Sequence, residues 1–336
     1  MHGGEEPRRE YRASRRLGAG PVRDAPPRPG RPRRARHEQN GQRRGGSGRR
    51  GGGFTLRPAL LAGGALVLAA AIVVVALVAH GSPHASPPSA GAPAIVKVLI
   101  PEGETRAQIA TIAKAQGLTG SYLASSVRSG ALDPAQYGAP RGTPNLEGFL
   151  FPATYEVYAG SPADVLVDKQ LEAFSERFGA HDEAAAHALH ETPYELLIVA
   201  SMIEREAQIP RDRPLIAAVI YNRLERGMPL GIDATLRYAL HDYSRPLTES
   251  QLALSSPYNT RLHRGLPPTP ISNPGMASIE AAAHPAHVGY LYYVAAPDGC
   301  GEHVFTRSYA QFLRDDAAYR NALAANGGRV PTCHKR

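Results

Sequence analysis

Residues 192–208 read T-P-Y-E-L-L-I-V-A-S-M-I-E-R-E-A-Q, and the reading of this stretch decides the fold. Thr192 followed three residues later by Glu195 is a capping box, and Pro193 suits the first helical position. The pattern predicts a helix from Thr192 to Ala207. Between Leu196 and Ile203 only Ser201 is polar, so this helix belongs in the core. Glu204 and Glu206 arrive just before Pro210 stops it. At about 100° per residue their side chains point roughly 200° apart, so they cannot share one cleft. Two readings of Glu204 stay open at this point. It is either a general acid whose pKa is raised by burial, or a solvated last-turn residue paired with an arginine.

Composition separates the chain into unlike parts. The net charge is +8 over 336 residues. Residues 1–57 hold 16 arginines against five acids, a net of +11, which leaves −3 for the rest. This Arg-, Gly- and Pro-rich tail has too few apolar residues for a core and is expected to be disordered. Residues 58–79 carry no charge, and 22 residues at about 1.5 Å each span a bilayer of roughly 30 Å. They lie too far from the N-terminus for a cleaved signal peptide. Arg49, Arg50 and Arg57 precede the segment, so the positive-inside rule places the tail in the cytoplasm and the rest outside the plasma membrane. The tail then reads as a topogenic, lipid-facing segment, with nucleic-acid binding set aside as its main role. Cys300 and Cys333 both fall in the exported part, where a disulfide is permitted.

Residues 80–94 form a Pro/Ser/Ala linker. A small module follows at 95–140, with a strand at Ile95–Ile100, a turn at Pro101–Gly103, a helix marked by Ile109, Ile112 and Ala113, and a second helix at Ser121–Val127. From 141 to 336 the chain reads as one domain. It has a strand-like run at 146–158 and helices at 163–178, 192–207, 214–226, 274–283 and 312–325. A hairpin joins 290–295 to 302–306. Helices and short strands mix without a βαβ repeat, so the predicted class is α+β.

Neither a phosphate-binding loop nor a dinucleotide fingerprint nor a G-x-S-x-G elbow is present, and no cofactor is expected. Polar residues sit instead in Pro/Gly-rich strings, as fixed donors and acceptors beside aromatic faces do in a sugar groove. The candidates are Tyr221, Asn222, Arg223, Asp233, Thr235, Tyr258, Asn259 and Thr260. Each has a plainer reading: Asn222 bonding backbone, Asp233 capping a helix that starts near Thr235, Asn259 holding a turn.

Taken in order, the strings are more specific. L-E-G-F-L-F-P-A-T-Y (146–155), A-S-M-I-E-R-E (200–206), V-I-Y-N-R-L-E-R-G-M-P-L (219–230), D-A-T (233–235), S-P-Y-N-T (256–260), G-L-P-P-T-P-I-S-N-P-G (265–275) and L-Y-Y-V-A (291–295) resemble the endolytic murein lytic transglycosylases. That family is membrane-anchored and cuts bacterial peptidoglycan. The resemblance implies a LysM-like module at 95–140, a catalytic domain after it and Glu204 as the catalytic acid. It also implies glycan strands as substrate and peptidoglycan synthases as partners. The chain departs from the family pattern at Gly231, at Ala234 of D-A-T and at Arg261. No second catalytic carboxylate is evident in the sequence. Hydrolytic glycosidases use two, so a lone acid favours transglycosylation, in which the sugar's own hydroxyl is the nucleophile.

Overall fold

The computed structural model describes residues 94–244 and 246–333. The Arg-rich tail, the apolar segment at 58–79 and the linker up to residue 93 lie outside the described residues. Strand β1 (Ile95–Leu99) alternates as a half-buried strand must, with Val98 inside and Lys97 and Leu99 outside. Gly103 turns the chain into α1 (Arg106–Ala115), opened by a Thr105–Gln108 capping box, and α2 (Tyr122–Ser125) follows under Ser121. The antiparallel partner of β1 is β2 (Thr154–Tyr158), with Ile95 opposite Tyr158 and Leu99 opposite Thr154. The strand that pairs with the N-terminal module thus comes from beyond residue 140. One hydrophobic core runs on from Val98 to Ala283.

The strand expected over 146–158 forms only in its last third. Residues 146–151 are buried but irregular, because Gly148 takes a left-handed backbone (φ +94°) and Pro152 cannot donate to a ladder. A Cβ at Gly148 would come within 2.5 Å of Pro270 Cγ, so the packing also requires glycine there. The Asn273 side chain supplies what a partner strand would have given. Its Oδ1 accepts from the Gly148 and Leu150 backbone N–H groups at 2.8 and 3.0 Å.

Seven helices of the described residues come next in order: α3 (Ala163–Arg177), α4 (Ala180–Ala188), α5 (Pro193–Glu206), α6 (Arg213–Glu225), α7 (Asp233–Leu240), the single turn α8 (Glu249–Leu252) and α9 (Met276–Ala283). Strands β3 (Tyr292–Ala295) and β4 (His303–Thr306) form the expected hairpin, and α10 (Tyr309–Ala325) packs on it. Helices α4 and α8 had no sequence expectation. The former is rich in alanine without an apolar stripe, and the latter is too short for a period to show.

Helix α5 is the predicted central helix. Thr192 Oγ1 accepts from Glu195 N–H at 3.2 Å, and Glu195 Oε2 accepts from Thr192 N–H at 2.8 Å. Helices α4, α6, α7 and α9 surround it, and every residue from Leu196 to Ile203 is at most 3% exposed. Ser201 fits this core because its hydroxyl donates to Ile198 O and accepts from Ile271 N–H at 3.0 Å.

Glu147 is a carboxyl set deep beneath these elements, at 3% exposure, and burial dominates its titration. It accepts from Arg106 N–H, Asn273 Nδ2 and Tyr238 Oη, yet burial still pushes its pKa up to about 7. The folded protein therefore holds a proton that the unfolded chain releases near pH 4.5. The associated stability is fully present below pH 4.5 and is lost as pH rises to about 7, on the order of 3 kcal/mol at full effect. In Glu147→Gln, with the amide nitrogen facing Tyr238 Oη, the Tm difference between pH 4.5 and pH 7.5 should shrink. An unchanged difference would rule this assignment out. Thr192→Ala should cost about 1 kcal/mol of stability by urea denaturation, through loss of the cap.

Candidate active site

The two acids at the end of α5 diverge as the helical angle requires. Glu204 turns toward α9, where its Oε2 accepts from Gly275 N–H at 3.1 Å. Gly275 is the N-cap residue of α9, so the carboxyl meets the positive end of that helix. The Pro101–Glu104 turn is clamped on the same spot. Gly103 N–H donates to Asn273 O at 2.9 Å, Asn273 N–H donates to Glu104 O at 3.0 Å, and Arg205 Nη1 donates to Gly103 O at 3.2 Å. A Cβ at Gly103 would lie 3.3 Å from Glu204 Cγ, which measures how closely the turn approaches the acid.

This turn carries Glu102. A Cβ built at Gly275 would sit 1.9 Å from Glu102 Oε1, so the Glu102 carboxyl occupies the space that the missing side chain leaves. Burial, and after it the charge of Glu204, raises the Glu102 pKa, with Arg213 opposing both. The Glu102 carboxyl therefore lies against the same glycine whose N–H binds Glu204. This approach was not legible because 102 residues separate the two in the chain.

Glu206 faces the opposite way. Tyr293 Oη donates to its Oε2 at 3.1 Å, and Asp233 and His303 lie nearby. The residue keeps some surface exposure, while its carboxyl is enclosed and burial raises its pKa. A cavity of about 480 Å³ opens here, lined by Glu206, Arg223, Asp233, Arg261, Tyr292 and His303, among others. His303 is held by Asp212, whose Oδ2 receives its backbone N–H at 2.8 Å and lies 2.9 Å from its Nδ1.

The residues read as sugar ligands do not gather around Glu204. Arg223 and Asp233 line the Glu206 cavity, where Asp233 pairs with Arg261. Asp233 begins α7 and its side chain makes no cap bond, so the capping alternative does not hold. Tyr258 lines a separate cleft of about 770 Å³ with Tyr194, Pro267 and Pro268, its hydroxyl 2.8 Å from Thr269 Oγ1. Glu204 lines neither space.

The remaining five direct their polar atoms inward. Tyr221 Oη donates to Ala282 O, and Asn222 Nδ2 donates to Val288 O and Tyr290 O. Thr235 and Thr260 are buried with their hydroxyls 3.2 Å apart, and Asn259 Nδ2 donates to Leu252 O and Leu254 O. These side chains hold the loops, as the plainer reading of Asn222 and Asn259 had it. Asn273, Glu147 and Asp212 went unselected, although Asn273 and Glu147 stand inside quoted strings. Nothing in sequence distinguishes a buried bridging amide from a surface turn residue.

Among the described residues no group of three or more His, Cys, Asp or Glu side chains is placed to hold a metal ion. Cys300 and Cys333 are joined by a disulfide, with their Cα atoms 4.6 Å apart.

Comparison with known proteins bears on this site. The endolytic murein transglycosylase of Bacillus subtilis (strain 168) is 41% identical over 180 residues, 52% of this chain and 48% of that protein. The endolytic murein transglycosylase of Streptococcus pneumoniae serotype 2 is 34% identical over 155 residues, 45% of this chain and 28% of that protein. The matched region thus spans half or less of the length of these relatives. The crystal structure of a putative YceG-like protein from Listeria monocytogenes aligns with a TM-score of 0.58 at 31% identity, covering 65% of this chain and 75% of that one. The model of the YceG-like family matches residues 77–318, most of the sequence, and the chain belongs to that family.

Proposed function

We propose that this protein is a membrane-anchored endolytic transglycosylase that cleaves peptidoglycan strands with Glu204 as its acid. The carrying observation is the placement of Glu204. It ends a capped core helix, its carboxyl accepts from the Gly275 N–H, and it lies within the region that the family model matches. The similarity to proteins named endolytic murein transglycosylases supports the choice of substrate.

In this reading protonated Glu204 gives its proton to the glycosidic oxygen between MurNAc and GlcNAc as the MurNAc C1–O bond breaks. The resulting carboxylate takes the proton of the C6 hydroxyl on the same MurNAc. O6 closes on C1, and a 1,6-anhydro-MurNAc end and a free GlcNAc 4-hydroxyl are left. Protons balance and no water is consumed. A residue that acts as acid and then as base works best with a pKa near the working pH. A rigid helix end suits such a group, because the carboxyl stays within hydrogen-bond reach in both steps.

Residues 58–79 serve as the anchor in this proposal, with the catalytic part outside the plasma membrane. The module from β1 to β2 acts as a LysM-like glycan-binding unit, for which its strand–helix–helix–strand order is the support. Arg223, Asp233 and Tyr258 offer polar and aromatic surfaces to more distant sugar or peptide groups. Peptidoglycan synthases, which make the strands, are the proposed partners.

The competing reading is a wall-binding scaffold without activity. Incubating the full-length protein in detergent with purified sacculi separates the two. Anhydro-muropeptides should accumulate by mass spectrometry, and Glu204→Gln should lower their rate of formation by about 10² or more with Tm retained. Retained cleavage in Glu204→Gln would remove Glu204 from the role. Binding to sacculi with no anhydro product from the wild type would establish the scaffold. Deleting residues 58–79 should move the protein from the membrane to the soluble fraction, and its retention in the membrane fraction would refute the anchor.

A further inference from the structure

The cleft of about 770 Å³ that holds Tyr258 lies apart from Glu204, and no step of the proposed reaction takes place in it. Its volume falls in the range of roughly 300–1,000 Å³ that suits small ligands. Tyr194, Glu195 and Ile198 of α5 contribute to its lining, so the cleft sits near the start of the helix that ends beside Glu204. At about 1.5 Å per residue, the stretch from Tyr194 to Glu204 is ~15 Å long. Residues 264–268 read R-G-L-P-P, and all five line the cleft. Among the described residues their main chain makes no hydrogen bond, although Pro267 is buried and Gly265 and Leu266 are half-buried. The two prolines have no N–H to give, while the Gly265 and Leu266 N–H groups and the carbonyls of the segment are left unspent by the fold. Main chain left in this state along a cleft is what an extended peptide pairs with.

The charges of the lining point the same way. Arg141 and Arg264 both line the cleft, are exposed, and make no hydrogen bond or ion pair with the described residues. The acid of the lining is Glu195, whose Oε2 accepts from Thr192 N–H at 2.8 Å and Thr192 Oγ1 at 2.9 Å, which commits it to the helix cap. A smaller cavity of about 390 Å³ shares the 140–143 loop and adds Arg128, also exposed. Its Asp133 is committed likewise, with Oδ1 accepting from Ala135 N–H at 3.0 Å. The arginines of this surface are thus without a carboxylate partner, while its acids are engaged in caps.

We propose that this cleft binds an extended peptide bearing free carboxylates, and that its occupant is the stem peptide carried by the MurNAc residues of the glycan strand. The identity of the occupant rests on the proposed function, while the class of ligand rests on the cleft alone. Arg141 and Arg264 take the carboxylates, since a guanidinium offers paired donors that match a carboxylate. The main chain of 264–268 pairs with the peptide groups, and the Tyr258 and Pro267 surfaces cover the short apolar side chains of the ligand. A strand held by its peptide near the start of α5 is tethered within reach of Glu204, and a strand stripped of peptide loses that hold.

Isothermal titration calorimetry on the full-length protein in detergent tests the cleft separately from the reaction. The probe is N-acetyl-L-Ala-γ-D-Glu-(Nε-acetyl-L-Lys)-D-Ala-D-Ala, whose only charges are its carboxylates. The wild type should bind it saturably. The double variant Arg141→Ala, Arg264→Ala should bind it about 5-fold or more weakly with Tm unchanged, and the wild type should show a similar loss for the fully amidated peptide. Pro268→Glu, which places a carboxylate on an exposed part of the wall, should also weaken binding, and Glu204→Gln should bind as the wild type does. No saturable binding at millimolar peptide, or equal affinity in the double variant or for the amidated peptide, would overturn the proposal. Glycan chains stripped of peptide by an amidase are the second probe. Binding of these chains that the arginine substitutions weaken as much as peptide binding would make the cleft a sugar site and overturn the peptide assignment. Peptide binding by a protein that releases no anhydro-muropeptides would refute the proposed function and leave the ligand class of the cleft standing.

Discussion

The buried amide of Asn273 is the interaction on which the candidate site depends. Its Oδ1 accepts from Gly148 and Leu150, its Nδ2 donates to Glu104 O and Glu147 Oε1, and its backbone bonds both Gly103 and Glu104. All four hydrogen-bonding positions of the amide are filled, at a residue with no exposure. Removing it would strand the backbone N–H groups of a buried, irregular segment, at about 1–3 kcal/mol for each unsatisfied group. The same residue fixes the Pro101–Glu104 turn beside Glu204. The N-terminal module, the irregular segment at 146–151 and the loop before α9 are thus held in mutual register by one side chain.

Around this hub the end of α5 sorts two acids by direction. Glu204 meets the N-cap residue of α9 and lies near a second carboxyl, that of Glu102. Glu206 meets Tyr293 and a polar cavity. Two residues of the same type, two positions apart, therefore face different chemistry. The enclosed acid is tied into the hairpin through Tyr293, and the hairpin is tied to the start of α6 through the Asp212–His303 contact. That arrangement gives Glu206 a structural connection across the domain.

The polar loop strings behave differently from what their composition suggested. Asn222, Asn259, Thr235 and Thr260 do carry specific hydrogen bonds, but to backbone and to one another. Loops that run between helices without a regular ladder must satisfy their own backbone groups, and short polar side chains do so at low entropic cost. Arg261, at a position where the chain departs from the family pattern, pairs with Asp233 at the rim of the Glu206 cavity.

The sequence by itself determined the α+β class, the central capped helix, the divergence of Glu204 and Glu206, and the terminal hairpin. These follow from local rules: cap chemistry, helical period and strand alternation act over a few residues and leave their mark in order along the chain. Helix α4, the true length of β2 and the pairing of β1 with it were decided by packing, since no local pattern records which strand a given strand will meet. The convergence of Glu102 and Glu204 on Gly275 was likewise decided only in three dimensions. It requires the Pro101–Glu104 turn, the end of α5 and the start of α9 to be clamped together by Asn273, and a contact among residues so far apart in the chain has no signature in any one of them.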